Sequence, residues 1–206
     1  MISDGLLVAV EGIDRSGKTT LVAALTAALT AAGIDAVARS EPSRGPIGAF
    51  FRSITVDTSL PATAAALLSA ADRHEQQSAL HMQLTRHRVV LSDRYYLSGL
   101  AYHLAEGIDP AFYRSLNEGI RRPDLYLHLA VAPAIAANRG EPLQGRWEQP
   151  TFTATLPAAY ERCIALLSES EAARFIDIDA AQPSAHVLGA AIAAVEALAV
   201  ERNPTP

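Results

Sequence analysis

Across 206 residues there is one lysine, one cysteine and one tryptophan. A single cysteine excludes an internal disulfide and a multi-cysteine zinc site. Its neighbours Arg162, Ile164, Leu166 and Leu167 read as helix, so Cys163 is expected to be a small core residue. A surplus of positive charge is missing as well. The net charge of −5 argues against a surface for nucleic acid, which would need a basic field. Long apolar runs are also lacking. Residues 129–137 and 188–200 are short or interrupted by Pro133 and Glu196, below the roughly 18 apolar residues of a span. No basic segment precedes the first apolar run, so neither a membrane anchor nor a secretory signal is expected, and the cytoplasm is the expected compartment.

What is present suits one folded domain over residues 1–206. Half the residues are hydrophobic and 19% are charged, and domains commonly run to roughly 100–200 residues. Forty alanines imply closely packed helices. Short β-type runs alternate with helical ones. Strands are expected at 6–10, 36–39, 88–92, 125–131 and 174–178. Helices are expected at 18–32, 47–54, 61–86, from 97, from 110, at 133–138, at 152–168 and from 183. Strands separated by helices, each nearly all apolar, imply a parallel sheet with helices on both faces. Residues 139–151 hold Gly140, Pro142, Gly145 and Pro150 among charges and Trp147, which reads as a mobile loop.

The only lysine sits in Gly12-Ile13-Asp14-Arg15-Ser16-Gly17-Lys18-Thr19, which fits G-x-x-x-x-G-K-[ST] between a strand and a helix. The glycines let backbone N–H groups turn inward on a phosphate chain at the positive end of the helix. Lys18 would then serve the β- and γ-phosphates, and the Thr19 hydroxyl would face Mg²⁺. Guanine-reading N-K-x-D segments need a second lysine, so a G-protein reading fails. Val89-Val90-Leu91-Ser92-Asp93 supplies an apolar strand ending in an acid, expected on the magnesium side at the carboxyl end of the sheet. Two Asp-Arg pairs, Asp72-Arg73 and Asp93-Arg94, offer guanidinium forks for phosphate, each with a carboxylate beside it to orient it.

These residues resemble the thymidylate kinase family over nearly the whole chain. EGIDRSGKTT (11–20) resembles its phosphate loop, EPSRGPIGAFFR (41–52) its acceptor-phosphate loop and helix, and LLSAADR (67–73) its substrate helix. VLSDRYYLSGLAYH (90–103) resembles its most diagnostic block, RPDLYLHL (122–129) its next strand, and GRWE (145–148) its lid. The resemblance implies a three-layer P-loop fold with a five-stranded parallel sheet and a lid at about 140–151. It implies transfer of the γ-phosphoryl of MgATP to a deoxynucleoside 5′-monophosphate, with dTMP the favoured acceptor, and a homodimer, to which the Ala/Leu-rich helix at 62–71 also points.

Carried over by position, Gly12 to Thr20 (with Ile13, Asp14, Arg15, Ser16, Gly17, Lys18 and Thr19) would bind ATP, and Arg139 and Gln182 would flank its adenine. Asp14, Arg15, Lys18 and Arg94 would be catalytic, with Arg15 the in-loop arginine. Thr19 and Asp93 would serve the metal. Asp14, Arg44, Phe51, Arg52, Ser69, Arg73, Arg94, Ser98, Gly99 and Tyr102 would form the acceptor site, Tyr102 disfavouring a ribose 2′-hydroxyl. Arg146 and Glu148 would close the lid. His128, where the family often has an acid, reads as a core or supporting residue. One position departs from the family's L-F-A-x-D-R: Ser69 stands where a phenylalanine stacks on thymine. Losing that ring removes ~1–3 kcal/mol unless Phe50, Phe51, Tyr95 or Tyr96 substitutes. The same reaction on another pyrimidine or modified deoxynucleoside monophosphate is therefore the alternative. A deoxynucleoside kinase, which would need a carboxylate base, and an ATP-binding module without turnover are the more distant readings.

Overall fold

Five apolar runs build the centre of the molecule. The computed structural model describes residues 5–55, 59–140, 145–171 and 173–202. Its strands are β1 (Leu6–Glu11), β2 (Ala36–Ser40), β3 (Val89–Asp93), β4 (Leu125–Ala130) and β5 (Phe175–Asp179), in the order β2-β3-β1-β4-β5 and all parallel. β1 is buried at every residue, and its side chains alternate between two cores because successive strand residues face opposite ways. Leu6, Val8 and Val10 join one core with Leu21, Leu25 and Leu29 of α1 (Lys18–Ala31) and Val187, Ala191 and Val195 of α10 (Ser184–Arg202). Leu7 and Ala9 join the other with Leu80 of α4 (Gln77–Arg86), Leu97 and Leu100 of α5 (Tyr96–Ala105), and Tyr160 and Cys163 of α9 (Leu156–Glu171). Helices thus cover both faces. The expectation of nearly all-apolar strands holds for β1 and β3 up to their ends and for β4 apart from His128. The edge strands β2 and β5 are mostly half-buried or exposed.

Two expected helices are each broken in two. The run at 61–86 divides into α3 (Ala62–Glu75) and α4 around Gln76. The Gln77 side chain donates to Arg73 O, the carbonyl that a continuous helix would offer to the backbone N–H of Gln77 itself. The run at 152–168 divides into α8 (Pro150–Thr153) and α9. Pro157 has no N–H to donate and is tolerated only in a first turn, so α9 must start beside it. Between the other strands lie α2 (Pro46–Ile54), α6 (Pro110–Leu116) and α7 (Pro133–Ala137). α10 has the length and composition of a membrane span, although Val187, Ala191, Val195 and Leu198 are its inward stripe against the sheet. Of the expected lid, residues 141–144 lie outside those described.

Parallel pairing brings chemistry to one edge. Val10 is level with Asp93 and Glu11 with His128, so the carboxyl ends of β1, β3 and β4 deliver those side chains together. Ligands in open parallel sheets bind at this edge.

Candidate active site

The phosphate loop joins β1 to α1 in a conformation few sequences allow. Gly12 has φ +141°, and a Cβ there would meet Leu129 O at 2.7 Å and Ser16 Oγ at 2.9 Å. α1 opens at Gly17, in the left-handed region, with no side chain capping its first N–H groups. Those donors form an anion site. Lys18 lies across the loop and donates to Ile13 O at 2.7 Å. Burial, reinforced by the nearby Arg94, pushes its ammonium down from an ordinary 10.5 to about 7, although Asp14 and Asp93 oppose the shift. A phosphate chain would restore the charge. Arg15 also has positive φ (62°), and its guanidinium donates to Ala137 O at 3.1 Å, at the end of α7.

Thr19 Oγ1 donates to Asp93 Oδ2 at 2.5 Å. Arg94 follows in the left-handed region at φ 65°, a strained state for a non-glycine residue and one that recurs at functional sites. Its guanidinium bonds the Asp14 carboxylate, and lies 3.2 Å from both Gly12 O and Ser98 Oγ. Asp14 Oδ2 accepts from Tyr102 OH at 2.9 Å. Burial would raise the Asp14 carboxyl, but Arg94 and Lys18 outweigh it and hold it below the usual range. The expected pairing within each Asp-Arg dipeptide is not what forms. Asp93 serves Thr19 while Arg94 serves Asp14, because neighbours at a strand end point to opposite faces. Likewise Asp72 accepts from Ser43 N (2.7 Å) and Ser43 Oγ (2.5 Å), whereas Arg73 pairs with Glu41 at 2.7 Å. Together they tie α3 to the loop before α2.

Arg73 is 3% exposed and further engaged by Tyr113 OH, Asn117 Oδ1 and Tyr95 O, yet it lines the cleft beside Phe51, Ser69 and Tyr102. Arg52 enters the same cleft from α2, its guanidinium held by Pro42 O and Ser43 O. Arg44 is exposed and outside it. Ser69 lines the cleft but spends its hydroxyl internally, on Ala66 O (2.9 Å), His103 Nε2 (3.1 Å) and Tyr113 OH (3.2 Å). Gly99 is required by the same cluster: a Cβ would sit 2.0 Å from Tyr113 OH.

A second cleft runs over Gly17, Lys18, Thr19 and Thr20 to Arg139. Arg139 donates to Ser16 O (3.3 Å) and to Ala180 O (2.5 Å), and so brings its own segment against the loop holding Gln182, which bonds Asp179 Oδ2 at 2.9 Å. Asp14, Glu41 and Arg94 line both clefts and mark their junction. From the expected lid, Glu148 lines the first cleft, while Arg146 turns away to Glu106 (2.5 Å).

Residues that the motifs did not single out hold this arrangement. Glu11 is fully buried and accepts from Tyr95 N (3.0 Å), Ser98 N (3.1 Å) and Ser98 Oγ, so it caps the start of α5. Burial drives its carboxyl up to about 7 against those hydrogen bonds and Arg94. An acid ending an otherwise apolar strand was the available signal. Tyr160 donates to Gly12 O at 2.9 Å, and its ring stacks on His128 (centroids 5.1 Å apart), which pairs with Asp177 at 2.8 Å. His128 thus supports the phosphate loop at one remove. Cys163 is fully buried and its thiol is pushed up to about 12.

Comparison with known proteins agrees with this geometry. The Thymidylate kinase family model matches residues 10–190. Thymidylate kinases from Xanthomonas oryzae pv. oryzae (strain PXO99A) and Xanthomonas campestris pv. campestris (strain B100) are each 35% identical over 199 residues, covering 96% of this chain and 86% of theirs. One from Xylella fastidiosa (strain M12) is 34% identical over 185 residues, covering 87% of this chain and 82% of its own. The solved structure of thymidylate kinase from Candida albicans shares the fold, with a TM-score of 0.78 at 24% identity, over 97% of this chain and 92% of that one. With the phosphate loop, the Asp93-Arg94 strand end and two adjoining clefts on one sheet edge, and with relatives matched along almost its full length, the chain belongs to the thymidylate kinase family.

Proposed function

We propose that this protein transfers the γ-phosphoryl group of ATP to the 5′-phosphate of dTMP, giving dTDP and ADP. The observation that carries this reading is the meeting of two clefts at Asp14, Glu41 and Arg94. A triphosphate laid along the loop would end at that junction, and a monophosphate held by Arg52 would face it from the acceptor cleft. The bond between the γ-phosphorus and the bridging oxygen of ADP breaks as a bond forms to an oxygen of the acceptor phosphate. That oxygen is already ionised, so no side chain need remove a proton. The task left to the protein is positioning and charge stabilisation.

Lys18 and the N–H groups of the loop hold the donor phosphates. Arg94 and Arg15 converge cations on the transferring group, Arg94 kept in place by Asp14 and Ser98. Arg73 and Gly99 build the acceptor wall, and Tyr102 crowds a ribose 2′-hydroxyl. Arg139 and Gln182 flank the adenine. Thr19 Oγ1 and the Asp93 carboxylate are two hard oxygens 2.5 Å apart at the mouth of the loop. They suit Mg²⁺, which takes one or two protein oxygens and keeps water and phosphate for the rest. When bound, the ion neutralises charge on the β- and γ-phosphates. We further assign one kinase domain with residues 140–151 as its lid, small nucleotides rather than nucleic acid or membrane as its ligands, a homodimer, and the cytoplasm. Incubating the protein with MgATP and a panel of nucleoside monophosphates, scored by ADP release, tests the reading. dTMP should be turned over fastest, and ADP release that no monophosphate stimulates would refute it.

A further inference from the structure

The acceptor cleft has an aromatic wall that comes from the lid segment. Trp147 stands in the cleft with its ring 5.9 Å from Phe51, 5.7 Å from Tyr102 and 5.9 Å from His103, at interplanar angles of 69°, 89° and 76°. Rings meeting so steeply are walls of a slot rather than a stack. Residue 69 offers no ring and no free hydroxyl, since its oxygen is committed to Ala66, His103 and Tyr113.

The backbone beside Trp147 is held there by a carboxylate. Glu106, at the end of α5, bonds His103 Nδ1 at 3.0 Å and Arg146 Nε at 2.8 Å, while Arg146 reaches Leu60 O with its other nitrogen. The backbone N–H of Arg146 also donates to Thr55 O at 3.3 Å. Burial would raise the Glu106 carboxyl, but hydrogen bonds from His103 and Arg146 help hold it below the usual range, and burial lowers His103. The neutral imidazole therefore gives its Nδ1–H to Glu106, and its Nε2 lies 3.1 Å from the Ser69 hydroxyl. One carboxylate thus fastens the floor of the cleft and the lid residue beside it.

We propose that Trp147 recognises the base of the monophosphate, replacing the ring that position 69 lacks, and that Glu106 is the positioning residue that holds it through Arg146 and His103. The proposal rests on the reading of this cleft as the acceptor site. A flat pyrimidine entering the slot would meet the face or edge of the indole.

Trp147 is the only tryptophan, so its fluorescence reports the contact directly. The whole protein is titrated with dTMP, with 2-deoxyribose 5-phosphate (the same ligand without its base) and with ADP. dTMP should quench the emission strongly and saturably, and the abasic sugar phosphate and ADP weakly. Trp147→Ala should raise the KM for dTMP about tenfold, within reach of one aromatic contact, with the KM for ATP unchanged. Trp147→Phe should recover most of that loss. Glu106→Gln should raise the KM for dTMP severalfold, leave kcat within about twofold, and shift the ligand-free emission to the red. An unchanged KM for dTMP in Trp147→Ala, or equal quenching by the abasic sugar phosphate, would overturn the proposal. Saturable quenching by a different base alone would support the role of Trp147 while removing dTMP as the substrate, so the two failures are distinguishable.

Discussion

Lys18 is the residue on which most of the chemistry depends, and its titration is testable. Its folded pKa of about 7 lies below an ordinary 10.5. A lowered lysine contributes stability that is full above the unfolded value and lost as the pH falls through the folded one. Bound phosphate reverses the shift, because the neighbouring anion favours the ammonium. At pH 8, ATP binding should therefore take up about one proton, measured as a dependence of the calorimetric heat on the ionisation enthalpy of the buffer. Lys18→Met should abolish both that uptake and turnover while melting no lower at pH 7. A binding heat independent of buffer would contradict the account. Ser69 carries a second expectation at this scale. A phenyl ring there must displace His103 and Tyr113, so Ser69→Phe should lower stability by ~1–3 kcal/mol and weaken dTMP binding, read from thermal melts and KM. The lone lysine was legible from the sequence because its motif is contiguous. The use of Ser69 was not, because its partners lie 34 and 44 residues away along the chain.

α5 shows how one element aims several functional groups. Its first turn is anchored by Glu11, and from it project Ser98, Gly99 and Tyr102. Glu11→Ala removes the acceptor from two buried N–H groups and a hydroxyl. The expected cost is ~2–4 kcal/mol, seen as a lower denaturant midpoint, and the KM for dTMP should rise as Arg94 loses the Ser98 contact. Glu11→Gln should be milder, because a carboxyl pushed to about 7 is already partly neutral. A raised carboxyl stabilises below its unfolded pKa and loses that contribution as the pH rises through 7, so the difference between Glu11 and Gln should narrow toward pH 5. The strands were legible here, since apolar runs bounded by turn residues mark them directly. The breaks at Gln76 and before Pro157 were harder to read. The first depends on where one glutamine side chain turns, and the second on Pro157, which a single helix over 152–168 takes no account of.

For the molecule as a whole, the strand order β2-β3-β1-β4-β5 sets the phosphate loop beside Asp93 and Arg94 and leaves the proposed acceptor cleft between α2, α3 and α5. The alternation of strands and helices made the parallel sheet legible. The meeting of the two clefts was not, because it depends on register between strands about 80 residues apart. Leu67 on α3 is 48% exposed and Phe50 on α2 is 54% exposed, and the proposed homodimer on the 62–71 helix would cover Leu67. Sedimentation at micromolar concentration should give twice the chain mass, and Leu67→Glu should return it to the monomer value. Transfer itself is the central claim, and following the label from γ-³²P ATP tests it most directly. With dTMP present, the label should appear in dTDP at a rate that falls at least a thousandfold in Lys18→Ala (about 4 kcal/mol of transition-state stabilisation). Label that stays in ATP, or that leaves only as inorganic phosphate, would contradict the account.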